Sequence, residues 1–257
     1  MKKIIHHIDM SEFVGDPKTN LFNEINKVWG KYMAYHIHNV PKSNYIKFYE
    51  ELAENLGNIR LCHTVNDKTK KSKFSKSRDI KPDPNLYHYF SSNSRQPLHT
   101  DYSYYEKEKS PEWLMLYCLE PSEFGGKTHL LSTKTLNYIL QKYNPNLLEK
   151  IKIDVKWEYI GDDGDKIHTK PLYDGTSINW NYYQIKKEYN NQKVMEVRQE
   201  FFDFLENKIV GGGIYDFSKI WGNGDCLIFN DRLMLHGRDA FLGDERWLKD
   251  HAFFHKI

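Results

Sequence analysis

Hydrophobic residues recur every three or four positions in two segments between residues 17 and 60. The residues concerned are Leu21, Ile25 and Val28 in the first segment and Phe48, Leu52 and Leu56 in the second. This spacing puts each set on one face of a helix. Pro41 separates the segments, and Gly57 follows the second set at a position typical of a helix end. The pattern therefore predicts two amphipathic helices.

Short β-type runs replace the helical spacing from Leu86 onward. Apolar or alternating residues with turn-forming neighbours indicate strands at residues 113–119, 128–132, 151–159 and 226–229. Helical spacing returns at 134–150 and 191–209. Short strands with helical insertions predict a β-rich α+β fold, with a double-stranded β-helix (jelly-roll) core and helices packed outside it.

Two segments are expected to extend from this core within a single domain that spans residues 1–257. Residues 66–83 are polar and basic with almost no apolar side chain, which predicts a solvated, mobile loop. Their position just before the β-type runs leaves open a second interpretation, a lid over a site. The other segment is an insertion near residues 160–210, which opens with a turn rich in glycine and aspartate at 161–165.

Composition and charge exclude several classes of partner. The chain has 257 residues, of which 39% are hydrophobic, so it can bury a sizeable core. Its 37 basic and 35 acidic residues give a net charge of +2, which predicts binding neither to nucleic acid nor to a membrane surface.

Cysteine usage and the N-terminal sequence predict a cytoplasmic protein. Cys62, Cys118 and Cys226 are odd in number and far apart, so no disulfide framework is expected and a reducing compartment fits. The sequence MKKIIHHIDM is too polar for a secretory signal. No later window approaches the roughly 20 apolar residues of a membrane helix.

The first candidate chemistry lies in His99-Thr100-Asp101. Side chains two residues apart on a strand point to the same face, so His99 and Asp101 could hold one cation together. His236 follows the predicted strand 226–229 and is the candidate third ligand. Two histidines and a carboxylate on one face are typical of non-haem Fe(II) oxygenases. The similar motif at residues 7–9 lies at the terminus and is interpreted as an ordinary first strand.

A second candidate group follows His236. A turn at residues 242–245 precedes Arg246, which predicts a hairpin with Arg246 on the strand returning beside His236. An arginine that points into a protein interior needs an anion, and its planar fork suits a carboxylate.

These motifs together carry a family resemblance. HTD at 99–101, GGKT at 125–128 and HGRDAFLGDER at 236–246 occur in the order and spacing of the taurine dioxygenase-like family. The sequence resembles these Fe(II)- and 2-oxoglutarate-dependent oxygenases, of the TauD/TfdA and clavaminate synthase-like type, from about Leu86 to Phe254. The similarity is weak near 160–210.

The resemblance implies both a ligand set and a reaction. His99, Asp101 and His236 would bind Fe(II), and Thr128 and Arg246 would hold the distal carboxylate of 2-oxoglutarate. O2 would be the oxidant, with succinate and CO2 as products and an unactivated C–H bond as the target. Relatives that halogenate lack the carboxylate ligand, so the presence of Asp101 favours hydroxylation, with desaturation or dealkylation as close alternatives.

Strand parity extends the prediction to the substrate. If Arg246 points inward, Asp250 shares its face and could meet a cationic or hydrogen-bond-donating group such as an amine. A solvent-facing aspartate is the simpler alternative. Further candidate contacts are Arg95, Tyr102, Tyr104, Asn181 and Arg238. Core packing for the aromatic residues, and a loop-bracing role for Arg238, are equally open. The expected substrate is a small polar, amine-bearing metabolite such as an amino acid or a derivative.

Three other functions stay open at this level. The same three ligands could hold zinc in a hydrolase, although a hydrolase does not need the carboxylate site of Thr128 and Arg246. A non-catalytic barrel that binds a ligand or protein is the second. The third keeps the oxygenase chemistry but directs it to a carrier-bound or protein-bound residue, which the basic loop at 68–81 would suit.

Overall fold

A computed structural model describes residues 3–65, 72–83, 91–159 and 166–255 of the chain. Residues 66–71 of the predicted loop, residues 160–165 of the predicted insertion, and Leu86 lie outside the described residues. The helices are α1 (Pro17–Val28), α2 (Tyr45–Leu56), α3 (Thr133–Tyr143), α4 (Pro145–Lys150) and α5 (Gln192–Phe204), the last continuing into a π-helical turn at Leu205–Val210. None of the described helices is long and apolar enough to cross a membrane.

Strands occur along the whole described part of the chain. They are β1 (Lys3–Asp9), β2 (Tyr32–His38), β3 (Gly57–Arg60), β4 (Cys62–Val65), β5 (Ser72–Ser75), β6 (Arg78–Ile80), β7 (Gln96–His99), β8 (Trp113–Glu120), β9 (Phe124–Gly125), β10 (Thr128–Ser132), β11 (Asp154–Tyr159), β12 (Lys166–Pro171), β13 (Phe217–Lys219), β14 (Cys226–Asn230), β15 (Met234–Arg238), β16 (Phe241–Leu242) and β17 (Trp247–His255).

The two predicted N-terminal helices are confirmed, and each begins at a capping side chain. The Asp16 carboxylate accepts hydrogen bonds from the first turn of α1, and the Asn44 side chain accepts one from Lys47 N. Such caps satisfy backbone N–H groups that have no partner inside the helix. The apolar faces of both helices pack on the larger sheet in one buried cluster.

The larger sheet has seven strands in the order β1-β2-β14-β8-β17-β3, with β6 added on β17. β1 and β2 are parallel, and the other pairs are antiparallel. Alternate residues of β8 face different cores. Trp113, Met115 and Tyr117 pack with α1 and α2, whereas Leu114, Leu116 and Cys118 pack toward the second sheet. Burial on both faces explains the unbroken apolar run of this strand.

The smaller sheet has four strands in the order β13-β10-β15-β7. Its outer face buries Leu98, Leu131 and Leu235 against the region of α3, α4 and α5. Its inner face contributes Leu130 and Met234 to the cluster shared with β8 and β17. The two sheets are therefore layered between two groups of helices, and the residues between the sheets are available to line a site.

Two sequence-based predictions are wrong. Residues 72–75 and 78–80 form strands where a solvated loop was expected, because β6 pairs with β17 and its charged side chains find partners there. The predicted hairpin that returns Arg246 beside His236 does not form. β15 is flanked by β10 and β7, and β17 belongs to the other sheet. Arg246 therefore approaches the site from the opposite wall.

Candidate active site

The three predicted metal ligands lie together at the end of β7 and the middle of β15. His99 and His236 are directly paired across these strands, and Asp101 follows in the turn after β7. Asp101 Oδ1 lies 3.2 Å from His99 Nε2 and 3.9 Å from His236 Nε2. All three ligand atoms are within 4.8 Å of one another. Because ligands at about 2.0–2.2 Å from one cation are roughly 3–4 Å apart, a single metal ion fits among them.

Neighbouring groups orient these ligands. His99 Nδ1 donates to the Pro97 carbonyl oxygen at 2.9 Å, which fixes the ring with Nε2 on the side of Asp101. The buried Asp231 carboxylate accepts from the backbone N–H of Asp101 at 3.1 Å and from that of Tyr102 at 3.2 Å. The turn that carries the Asp101 side chain is therefore held at its backbone. Asp231 was not singled out from the sequence, where only its position after the core strand β14 distinguishes it.

The charges of the cluster follow from burial and from close neighbours. Burial by itself raises the pKa of Asp101, but the Arg78 guanidinium and the bond from His99 outweigh it, and the pKa falls below its usual range. Burial, assisted by the charge of His99, lowers the pKa of His236 to about 3, so this imidazole is neutral. Burial and then the Asp101 charge raise the pKa of Asp231 to about 7. An ionised carboxylate beside a neutral imidazole is a suitable donor set for a divalent cation.

Arg246 faces this cluster from the opposite wall. Residues of both sheets line the shared cavity. The lining residues are Arg78, Ile80, Gln96, Asp101, Leu116, Thr128, His236, Gly237, Arg238, Arg246 and Leu248. Arg246 is 3% exposed, and its guanidinium lies over the Phe241 ring at 5.2 Å. Its Nε and Nη1 atoms have no hydrogen-bond partner among the described residues. Since an unpaired buried cation is costly, this arginine is suited to an anionic ligand.

Thr128 lies in the same cavity and is oriented by a tryptophan. Trp221 Nε1 donates to Thr128 Oγ1 at 2.6 Å, and both side chains are buried. An indole N–H can only donate, so the threonine oxygen accepts and its hydroxyl hydrogen remains available for an acceptor in the cavity. Trp221 was not predicted from the sequence, because nothing in its local pattern indicates a partner on β10.

Arg78 is a further residue that sequence analysis missed. It lies on β6, and its Nη2 donates to Asp101 Oδ2 at 3.0 Å. The same guanidinium forms an ion pair with Asp250, with Nε 3.0 Å from Asp250 Oδ2. The surrounding sequence is polar and basic, so the local pattern contained no signal of a buried strand.

Asp250 does face the interior, as strand parity predicts, but the role proposed for it needs correction. Its carboxylate is 1% exposed and is bonded by the side chain and the backbone N–H of Arg78. The partner of this aspartate is therefore a guanidinium of the same chain, and a substrate amine is not required to neutralise it. The inference of an amine-bearing substrate loses its main support.

The other predicted substrate contacts are placed in two ways. Arg238 lines the cavity and also donates to the carbonyl oxygens of Ser92 and Ser94, each at 2.6 Å, so it braces that loop. Four others are not among the described lining residues of the cavity. Arg95 is ion-paired with Glu206, the Asn181 side chain caps a turn, and Tyr102 and Tyr104 pack into cores on either side of the small sheet.

The fold and this constellation define a class of metal-dependent oxygenase, in which a His/Asp/His cluster faces a buried arginine between two sheets. The chain belongs to the taurine catabolism dioxygenase TauD, TfdA family, whose model matches residues 5–250. Members of this family are Fe(II)- and 2-oxoglutarate-dependent dioxygenases. The match extends further toward the N-terminus than the motifs alone indicated. No curated protein sequence gave a match.

Solved structures share the fold at low sequence identity. The asparagine oxygenase AsnO is 13% identical, with a TM-score of 0.64 over 92% of this chain and 79% of that chain. PvcB, an Fe, α-ketoglutarate-dependent oxygenase from an isonitrile synthetic pathway, is 15% identical, with a TM-score of 0.60 over 99% and 87%. A taurine dioxygenase from Burkholderia xenovorans is 12% identical, with a TM-score of 0.57 over 100% and 89%. At these identities the similarity shows the fold alone.

Proposed function

We propose that this protein is an Fe(II)- and 2-oxoglutarate-dependent oxygenase that hydroxylates an unactivated C–H bond of a small polar metabolite. The observation that carries the proposal is the pairing of two features in one cavity. They are the ligand cluster and the buried Arg246, whose Nε and Nη1 have no hydrogen-bond partner in the described part of the chain. A cation site alone would suit several chemistries. A cation site with a carboxylate-binding group beside it suits a dicarboxylate co-substrate.

Each residue then has a defined task. Bound Fe(II) and 2-oxoglutarate together supply oxidising power from O2, with succinate and CO2 as products. His99, Asp101 and His236 would hold the ion, with Pro97 orienting His99 and Asp231 holding the backbone of Asp101. Arg246, with its N–H donors, and Thr128, with its hydroxyl, would hold a carboxylate of the co-substrate in this cavity. Ile80, Leu116 and Leu248 form the apolar part of the lining and keep water out.

We also infer that the two main sheets form the double-stranded β-helix expected from the sequence, within one domain. The support is their layered arrangement around the cavity and the family to which the chain belongs. A cytoplasmic location is proposed on the free cysteines, since Cys118 and Cys226 are buried as thiols.

The substrate class is proposed more broadly than the sequence suggested. Arg78 neutralises Asp250, so Asp250 gives no reason to prefer an amine-bearing substrate. Asparagine oxygenase, which shares the fold, has been solved with Fe(II), a hydroxyasparagine and succinate. Free amino acids and their derivatives are therefore the first substrates to test, and carrier-bound forms the second.

The test combines a binding assay with a turnover assay. Addition of Fe(II) and 2-oxoglutarate without oxygen is expected to produce a weak visible charge-transfer band, which His236→Ala abolishes by removing a ligand. Screening amino acids for substrate-dependent succinate release then identifies the substrate. A zinc-retaining protein that shows no such band and releases no succinate with any substrate would contradict the proposal and favour a hydrolase.

A further inference from the structure

The side chain of Arg78 connects two buried carboxylates. Arg78 and Asp250 are directly paired across β6 and β17, and Arg78 N donates to Asp250 Oδ1 at 3.1 Å. Nε donates to Asp250 Oδ2 at 3.0 Å, and Nη2 bonds both Asp250 Oδ2 and Asp101 Oδ2, the latter at 3.0 Å. Asp250 thus holds the guanidinium through Nε and Nη2, and Nη2 also contacts the candidate metal ligand.

The two oxygens of Asp101 are divided between different partners. Oδ1 faces His99 Nε2 at 3.2 Å and His236 Nε2 at 3.9 Å, whereas Oδ2 is bonded by Arg78. A carboxylate can bind a cation through one oxygen or through both. With Oδ2 held by the guanidinium, only Oδ1 is directed at the position between the imidazoles. The carboxylate also cannot rotate about its Cβ–Cγ bond without losing a charge-assisted hydrogen bond.

A purely structural role for Arg78 does not require this contact. The bonds to Asp250 already fasten β6 to β17 and neutralise the carboxylate that is 1% exposed. The contact with Asp101 adds nothing to that attachment, since Asp101 lies in the turn after β7 on the other side of the cavity. It does what an outer partner of a metal ligand does, which is to set the orientation and denticity of the ligand.

We infer that Arg78 is a positioning residue for Asp101, anchored by Asp250, which presents a single carboxylate oxygen to the bound cation and keeps the remaining coordination positions open. The inference rests on the proposed function, because it takes His99, Asp101 and His236 as the metal ligands. It assigns a role to a residue in a segment that the sequence indicated to be a solvated loop.

The test measures Mn(II) binding to the full chain by titration calorimetry, without substrate. Arg78→Met is expected to bind Mn(II) about 10–100-fold more weakly than the wild type. Arg78→Lys, which restores one donor and the charge, should recover part of the loss. The matched control is Arg95→Met, which removes another half-buried arginine paired with a carboxylate and should leave the affinity within about twofold.

A second variant guards against loss of folding. Arg78→Met leaves Asp250 buried without a counter-ion, so Arg78→Met combined with Asp250→Leu removes both charges and is expected to fold. It should show the same loss of Mn(II) affinity. In both variants the visible spectrum of bound Co(II) should lose intensity, because a freed Oδ2 can also coordinate and raise the coordination number.

The outcomes separate the two levels of the hypothesis. If the wild type binds no divalent cation, the proposed function fails and this inference with it. If the wild type binds Mn(II) and both Arg78 variants bind it equally well, with an unchanged Co(II) spectrum, Arg78 only fastens β6 to the sheet. In that case the positioning role is wrong while the oxygenase proposal stands.

Discussion

Arg246 and Arg78 reach the same cavity from the side of the larger sheet, yet their surroundings differ. Arg78 contacts two carboxylates, one on β17 and one in the metal cluster. Arg246 has no acidic partner within ion-pair distance among the described residues, and the charge that most affects its pKa is the like charge of Arg238. Burial and then that charge lower the pKa of Arg246 to about 9, so it is still a cation at neutral pH.

The difference separates two uses of a guanidinium that faces the cavity. A cation with its counter-ions in place contributes to the folded structure and positions what it touches. A cation without them destabilises the empty protein and is compensated only when an anion binds. The comparison therefore predicts that removing the two arginines changes stability in opposite directions, and four experiments test or refine it, ordered by expected effect.

The largest change is expected from Arg78→Met. The substitution leaves Asp250 buried and unpaired, so the free energy of unfolding should fall by about 3–5 kcal/mol. Urea denaturation of the metal-free protein measures it. Adding Asp250→Leu should recover most of the loss. A fall of less than about 1 kcal/mol for Arg78→Met would mean that the pair contributes little to the fold.

Arg246→Met should act with the opposite sign on stability. Removal of an unpaired buried cation is expected to raise the free energy of unfolding of the metal-free protein by about 1–2 kcal/mol. The same substitution should raise the KM for 2-oxoglutarate about 100-fold, since the carboxylate loses its forked partner. Mn(II) affinity serves as the control and should not change. Loss of stability in Arg246→Met would remove the contrast between the two arginines.

A smaller effect is expected at the hydroxyl beside Arg246. Trp221→Phe keeps an aromatic ring but removes the N–H that donates to Thr128 Oγ1. The hydroxyl can then rotate, and the KM for 2-oxoglutarate should rise about 5–10-fold, roughly 1 kcal/mol, with kcat little affected. Thr128→Val should give a similar value, and the double variant should add nothing. Additive effects would show that Trp221 acts by another route.

The smallest effect concerns His36, a buried histidine that can lose its charge. Burial, followed by the charges of Lys219 and His38, lowers the pKa of His36 to about 3. The folded state therefore binds this proton less tightly than the unfolded state, whose histidine pKa is about 6.5. Stability present above pH 6.5 is lost as the pH falls toward 3. Between pH 7 and pH 6 the expected contribution of His36 to the loss is about 0.7 kcal/mol, and the total loss should be smaller by this amount in His36→Phe when urea denaturation is repeated at both pH values.

Comparison with His36 shows why a buried arginine without a counter-ion indicates an anion-binding site. An imidazole without a counter-ion becomes neutral on burial, and the cost appears only as a pH dependence. A guanidinium stays protonated under the same conditions. An unpaired buried arginine therefore retains its charge at neutral pH, and it marks a place where an anion is expected.

Local patterns predicted much of the fold and part of the site. Helix spacing located α1 and α2, and the apolar run located β8. The family resemblance singled out His99, Asp101 and His236, which the structure brings into one cluster. The relation between Arg246 and β15 was misjudged, because a ten-residue separation fits a hairpin as well as a connection between two sheets.

Arg78, Asp231 and Trp221 could not be found in this way. Each acts through a partner far away in the chain, and a sequence pattern reports on a residue's own segment. Arg78 contacts Asp250 across 172 positions, and Trp221 contacts Thr128 across 93. The alternation of side chains along β17 correctly predicted that Asp250 points inward. It does not identify the side chain on the neighbouring strand that Asp250 contacts.

The three-residue strand β6 carries opposite charge pairs on its two faces. Inside, Arg78 meets Asp250; outside, Asp79 Oδ1 accepts from Lys249 Nζ at 2.7 Å. A shift of one residue against β17 would exchange these faces and set Asp79 against Asp250 within the cavity. Two carboxylates would then be opposed in the interior, whereas a shift in the other direction would place Arg78 opposite Lys249. β6 is short and makes few backbone hydrogen bonds, so the charges of its side chains help to fix its register against β17. The distribution of charge in the cavity depends on this register.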